Sequence, residues 1–510
     1  MQARVQVAPP YATALLGSIG LRAGLAAAVL CAALGVLAAR SPTLVGGFVI
    51  AALVGGGLLA LARRGVSLLA FTVTLLLGGY VVLSRGFSGL HVPLGSLPLY
   101  VGELGLALLL LPSLRRLERA WIGLPAILLA VWMAYNGVLT LRDLPVYGID
   151  AVHDAATWYY GLYAIIGAAV WRTLGADGLR RALAPVFVLA PLAAAIALGI
   201  SLLPVVQPPF ADSPLFTAKT DIIGMHLLGA AAFFLTGQHR RAAPWAGRAA
   251  PLVVASAMLY VLVGLNRATF IGLLGLLALL AVYGMWRPIV ISAATGLLVL
   301  GLLAASGVRV SAGGRVADFA TILDRETSLL RVTTQDIVDY RSTGADVLND
   351  GTVSWRVLWW HALWDDAVGD PKMLLFGRGY GVDLVAVAAR YAPPGVAYQF
   401  GQNEDHPLRS PHSIAMTLLG RSGLVGLALW LLLLAASFGR LLGTTLAARH
   451  AGRRDDELLG VWFLAECVLI VLVAMFGVVL EAPHAAIPFF VILGAALAWA
   501  SDQATLGTRA

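Results

Sequence analysis

The chain has 510 residues, 59% of them hydrophobic and only 12% charged, with a mean hydropathy of +0.85. A soluble protein of this length has too little polar surface to hide so much apolar side chain, so composition excludes a soluble globular class and indicates an integral membrane protein. Cys31 and Cys467 both fall in apolar runs and make neither a disulfide framework nor a metal site, while the net charge of +8 has to be located before it is interpreted.

At the N-terminus, Arg22 interrupts the first hydrophobic stretch and no clear cleavage site precedes the next, so the first span reads as an uncleaved anchor. Lipid offers the backbone no partners, so each stretch of roughly 17–25 apolar residues must cross as a helix. Hydropathy places such spans near 21–39, 43–61, 66–83, 98–113, 120–140, 156–173 and 182–203. Further spans lie near 221–238, 250–265, 268–285, 288–305, 412–436, 458–480 and 483–500. The short stretch 98–113 also fits a re-entrant segment. The expected fold is therefore all-α and polytopic, with about 12–14 transmembrane helices and one large, outward-facing, partly helical loop between late helices. Residues 1–305 would form a bundle of about 11 spans, 306–410 the loop, and 411–510 about three closing spans.

Charge orients this arrangement. Alternate loops carry Arg63/Arg64, Arg115/Arg116/Arg119, Arg172/Arg180/Arg181, Arg240/Arg241/Arg248, Arg287 and Arg440/Arg449/Arg453/Arg454. With both termini that side has 19 Lys and Arg; the opposite short loops have five, Arg40, Arg85, Arg142, Lys219 and Arg267. The positive-inside rule then places both termini in the cytoplasm and the loop outside, and it accounts for the basic charge without nucleic acid.

The loop is a polar island with ten of the 35 Lys and Arg and thirteen of the 27 Asp and Glu. Within it, Ser354 to Ala367 reads as a helix with Trp355, Leu358, Trp359, Ala362 and Leu363 on one face, and four Trp in one short segment suit the membrane interface. Phe376-Gly377-Arg378-Gly379-Tyr380-Gly381 lacks the strand–loop–helix context of a nucleotide loop. It reads as a plain turn or as a bend holding Arg378 near a substrate.

Several residues have the chemistry for a site. Arg267, in an outward turn between apolar helices, either snorkels to headgroups or grips phosphate as a fork. Lys219 and Asp221 begin another span and would extend that patch. His412, at the mouth of the span 412–436, is an interfacial or capping residue or else a general base. Glu404, Asp405 and Glu481 are the carboxylates that could orient it; a metal site from Glu404, Asp405, His406 and His412 fits no standard spacing. Glu103, Arg421 and Glu466 sit within spans, where Arg421 paired with either carboxylate, or a proton or ion relay, would explain them.

Pro411-His412-Ser413, nine residues, then Gly423-Leu424-Val425-Gly426 resembles the signature of the O-antigen ligase and polymerase superfamily. Other features of that superfamily occur in order: Arg267 opening a helix, a long outer loop, Arg356 with Trp360, and Pro371 followed by Gly377 and Gly379. Lys219 stands where an Arg is usual. The resemblance implies a membrane glycosyltransferase that takes a glycan from undecaprenyl pyrophosphate at the outer face of the bacterial cytoplasmic membrane. It further implies inversion at the anomeric carbon without metal or other cofactor. His412 and Arg267 would be the catalytic residues, with Lys219, Arg356 and Arg378 binding pyrophosphate or glycan. A ligase, acting on a lipid core or other hydroxyl acceptor, a polymerase of lipid-linked repeat units, and a protein-glycosylating branch share these motifs. A polysaccharide flippase is the reading from a different class, and mid-membrane charges would be its mark.

Overall fold

The computed structural model describes residues 67–94, 97–117, 123–200, 219–242, 244–264, 266–306, 310–312, 315–317, 320, 322, 354–389 and 410–507. The expected spans at 21–39 and 43–61 lie outside the described residues, as do Glu404, Asp405 and His406. Every expected span from residue 66 onward corresponds to a helix. These are α1 (Leu68–Leu83), α2 (Val101–Leu114), α3 (Leu124–Tyr147), α4 (Tyr163–Ile200), α5 (Thr220–Leu235), α6 (Ala250–Val263), α7 (Arg267–Val282) and α8 (Trp286–Ser306). After the loop helices α9 (Ser354–Val368), α10 (Pro371–Phe376) and α11 (Leu384–Ala389) come α12 (Ile414–His450), α13 (Arg454–Ala474) and α14 (Pro483–Gly507). Among the described residues seven helical stretches are long and apolar enough to cross a membrane, and α1, α2, α5 and α7 are shorter apolar helices. The chain is an all-α polytopic membrane protein.

Local chemistry sets the boundaries. Pro125 opens α3, where its missing N–H costs nothing. Asn266 caps α7, its side chain accepting from the amides of Ala268 at 2.9 Å and Thr269 at 3.3 Å. The expected spans 156–173 and 182–203 are joined as α4 through Gly175, whose φ of 62° breaks the helical path between them. The stretch 98–113 is a hairpin strand, Leu97–Tyr100 paired antiparallel with His91–Leu94, followed by α2.

The centre of the bundle is α14, enclosed along its apolar length, whereas α8 keeps most of its surface exposed. Small residues let α14 and α4 touch backbone to backbone. A Cβ on Gly167 would lie 2.0 Å from the Val491 carbonyl oxygen, and one on Gly494 would lie 1.9 Å from that of Ala164.

Ion pairs and hydrogen bonds gather the connections at two ends. At one, Arg172 and Trp171 hold Asp502, Arg180 donates to Gln238 at 2.9 Å, Arg241 pairs with Asp455, and Arg440 donates to Ser501 at 2.8 Å. At the other, Thr220 donates to the Gly264 carbonyl at 3.2 Å, and residues 85–88, 153–157, 410–412 and 478–484 enclose one cavity.

Candidate active site

The His motif builds a broken helix. In α12, Gly423 has φ 65° and ψ −166°, a conformation open to glycine and strained for a residue with a side chain. The break leaves carbonyls without intrahelical partners, and the rest of the chain supplies them. The Gly420 carbonyl accepts from the Arg378 amide at 2.8 Å, that of Arg421 from Gly379 at 2.9 Å, and that of Ser422 from the Tyr135 hydroxyl at 2.9 Å. The approach is close: a Cβ on Gly423 would meet the Leu375 backbone at 2.4 Å, and one on Gly377 would meet that of Arg421 at 2.4 Å.

That contact settles what the Gly-rich bend does. Its amides are already engaged, Arg378 and Gly379 on α12, Tyr380 on Asp143 at 2.8 Å and Gly381 on Asp154 at 2.7 Å. The bend docks the loop on the helix break and has no amide row for a phosphate. The Arg378 side chain pairs with Asp366 and lies outside the lining of the cavity at His412.

His412 itself has a left-handed backbone, φ 56°, unusual for a residue with a β-carbon. Trp360 Nε1 donates to the Pro411 carbonyl at 2.7 Å, and the His412 amide donates to Ser410 Oγ at 3.3 Å, so both sides of the turn are held. The only other positive-φ non-glycine among the described residues is Ser84, next to Arg85 on the wall of the same cavity. Strained backbone therefore lies at two points around one site.

The cavity has a volume of about 410 Å³. Around it stand Arg85, Lys219, His412, Arg421, Glu481 and His484. Arg421 is buried and pairs with Asp154 at 2.8 Å. This corrects the expected partner: Glu103 instead accepts from the Tyr159 and Tyr160 hydroxyls at 2.7 and 2.6 Å. Glu466 sits far along α13, against Gly229 of α5. Glu481, on the connection between α13 and α14, accepts from Thr417 Oγ1 at 2.9 Å.

Electrostatics make the cavity cationic. Burial pushes the His412 imidazole down to about 3, with Arg356 and Lys219 adding repulsion, so it is neutral at physiological pH. Burial pushes the Glu481 carboxyl up to about 7, although hydrogen bonds from Ser410 and Thr417 and the nearby Arg421 oppose the shift. With Asp154 spent on Arg421, Lys219 loosely paired with Asp221 at 4.0 Å and Glu481 only partly ionised, Arg85 and the remaining charge of Lys219 leave the lining net positive.

Of the residues singled out in the sequence, His412 and Lys219 share the cavity. Arg356, on α9, acts on His412 electrostatically and donates to the Phe476 carbonyl at 2.8 Å. Arg267 opens α7, beside the Thr220–Gly264 contact and hence at the end of the bundle that carries Lys219. Reading the sequence did not single out Arg85, Asp154, Thr417 or His484 as site residues. The spacing Ser413, Thr417, Arg421 is a signal that does find two of the cavity's groups, since residues four apart share a helix face. Beside the cavity, Trp360, His361, Trp364 and Met416 line a shallow aromatic notch. A scan against protein-family models finds no match, and a search of curated proteins finds none.

Proposed function

We propose that the chain is a membrane glycosyltransferase that moves a glycan from undecaprenyl pyrophosphate to an acceptor hydroxyl. The observation that carries this reading is a neutral, half-buried histidine on a strained turn, set in a net-cationic cavity at the end of a transmembrane bundle. Such a cavity suits a reaction in which a base takes one proton and a phosphorylated leaving group gains negative charge.

In the proposed step, the acceptor O–H gives its proton to the His412 imidazole while its oxygen attacks the anomeric carbon. The bond from that carbon to the phosphate oxygen breaks, and the electron pair leaves with the lipid pyrophosphate. Lys219 and Arg85 face that charge from the cavity wall, and Arg356 and Arg267 reinforce the field from adjoining helix ends. Bound pyrophosphate would offset the repulsion of Arg356 and Lys219 and raise the basicity of His412, coupling proton removal to donor binding. The notch at Trp360 and Trp364 offers an apolar face to an acceptor sugar approaching His412.

By the positive-inside rule the Arg-rich end lies in the cytoplasm of a bacterium, and the cavity opens on the outer face of the cytoplasmic membrane. Ligase and polymerase chemistry are the same at this site and differ in the acceptor. A surface-polysaccharide ligase is our first reading and a polymerase of repeat units the second. A flippase is disfavoured because Arg421 is tied to Asp154 beside the cavity and Glu103 to two tyrosines, which leaves Glu466 alone of the three charged residues within spans for a mid-membrane path. Purified protein incubated with lipid-linked repeat units distinguishes these outcomes. One discrete adduct on an added acceptor means ligase, a ladder of lengths means polymerase, and unchanged donor with every acceptor overturns the proposal.

A further inference from the structure

At the opposite end of the bundle from His412 lies a second and larger cavity, of about 1220 Å³, between the ends of α5, α6, α8 and α13. Its mouth carries Arg240, Arg241, Arg287 and Arg454 against the single carboxylate of Asp455. Arg241 is spent on Asp455, and Arg454 on Glu457 at 2.7 Å. Arg240 and Arg287 carry the excess charge; each is exposed and neither has an ion-pair partner among the described residues. The walls below are apolar, with Val254 of α6 facing Ile291 of α8.

α8 explains the shape. Beyond Arg287 it is predominantly apolar yet stands largely clear of the bundle, with Trp286 63% exposed at its start and Val290, Leu297 and Leu298 exposed further along. Among the described residues the cavity is therefore uncovered along α8, and it is basic at its mouth. A free anion would use only the mouth, and an uncharged lipid only the walls. A molecule with a phosphate head and an acyl chain uses both.

We infer that this cavity binds an anionic phospholipid, its phosphate at Arg240 and Arg287 and its chain between α6 and α8. Basic pockets between transmembrane helices take such headgroups, and each arginine near an anionic lipid contributes about fivefold in affinity. The inference does not depend on glycan transfer. Lipid seated there would brace α8 against α6.

The test uses the full chain purified in neutral detergent and follows its melting temperature. Phosphatidylglycerol in mixed micelles should raise it, whereas phosphatidylcholine or inorganic phosphate at matched concentration should not. Arg240→Gln with Arg287→Gln should leave melting without lipid unchanged and weaken the phosphatidylglycerol response by roughly 25-fold. Ile291→Trp, which keeps the arginines and puts bulk on the apolar wall between α6 and α8, should also weaken it. An equal loss in Arg115→Gln with Arg116→Gln would show diffuse surface charge and overturn the site. Stabilisation by phosphate alone, or none by phosphatidylglycerol, would overturn it as well.

Discussion

Arg421 meets Asp154 at 2.8 Å, and both side chains are almost enclosed, 2% and 7% exposed. The pair ties the first segment of α12 to the short helix after α3, and Asp154 also receives the Gly381 amide, so one carboxylate joins three parts of the chain. Removing one partner of a buried pair strands the other charge, at a cost of about 3–5 kcal/mol. Asp154→Ala should therefore lower the melting temperature sharply in detergent. Arg421→Met added to it should recover much of the loss. If single and double variants melt like the parent, the pair has no structural role.

Gly423 offers a cleaner probe of the helix break. Alanine there meets both a strained backbone, about 1–3 kcal/mol, and the Leu375 carbonyl carbon at 2.4 Å. Gly439→Ala in the same helix meets nothing within 4 Å and should stabilise by about 0.5–1 kcal/mol. Opposite signs at the two positions, read as melting temperatures, support the break; matching signs contradict it.

In the proposed reaction Trp360 would position His412 through the Pro411 carbonyl. Trp360→Phe keeps a ring in place and deletes the 2.7 Å bond to the Pro411 carbonyl. Loss of one such bond costs about 1 kcal/mol, so melting should barely move. Transfer should slow by about tenfold in kcat with little change in donor KM, in line with the cost of a misplaced base. A variant that melts lower and keeps its kcat would assign the indole to packing.

Glu481 sets a pH dependence. Its carboxyl is pushed up to about 7, so as pH rises through 7 it loses its proton and puts a negative charge in the cavity proposed to hold pyrophosphate. Donor KM should rise above pH 7, and Glu481→Gln, which keeps an acceptor for Thr417, should flatten that rise. The His412 limb, at about 3, lies below the working range. A KM rise of the same midpoint in the Gln variant would remove Glu481 from the account.

The transmembrane elements were legible because apolar runs of fixed length leave the chain only one way to satisfy its backbone. All twelve expected spans beyond residue 66 have their helices. The site was legible in part. His412 and Lys219 stand out because polar residues at the mouths of spans are conspicuous. Asp154 was hidden in a run of short helical turns, and its partnership with Arg421, 267 positions away, follows from helix packing that no local pattern encodes. Around Arg378 the pattern did not reveal that Gly377 serves the close approach to α12 or that the side chain pairs with Asp366.

The central claim is that His412 takes the acceptor proton in a cavity whose cations hold pyrophosphate. Its most direct measurement is glycan transfer from lipid-linked donor by purified His412→Ala and Lys219→Ala proteins, each first shown to melt like the parent. The account predicts that both lose transfer to below about one hundredth of the parent rate, the scale of a lost general base or oxyanion partner. Parental rates in both variants would contradict it.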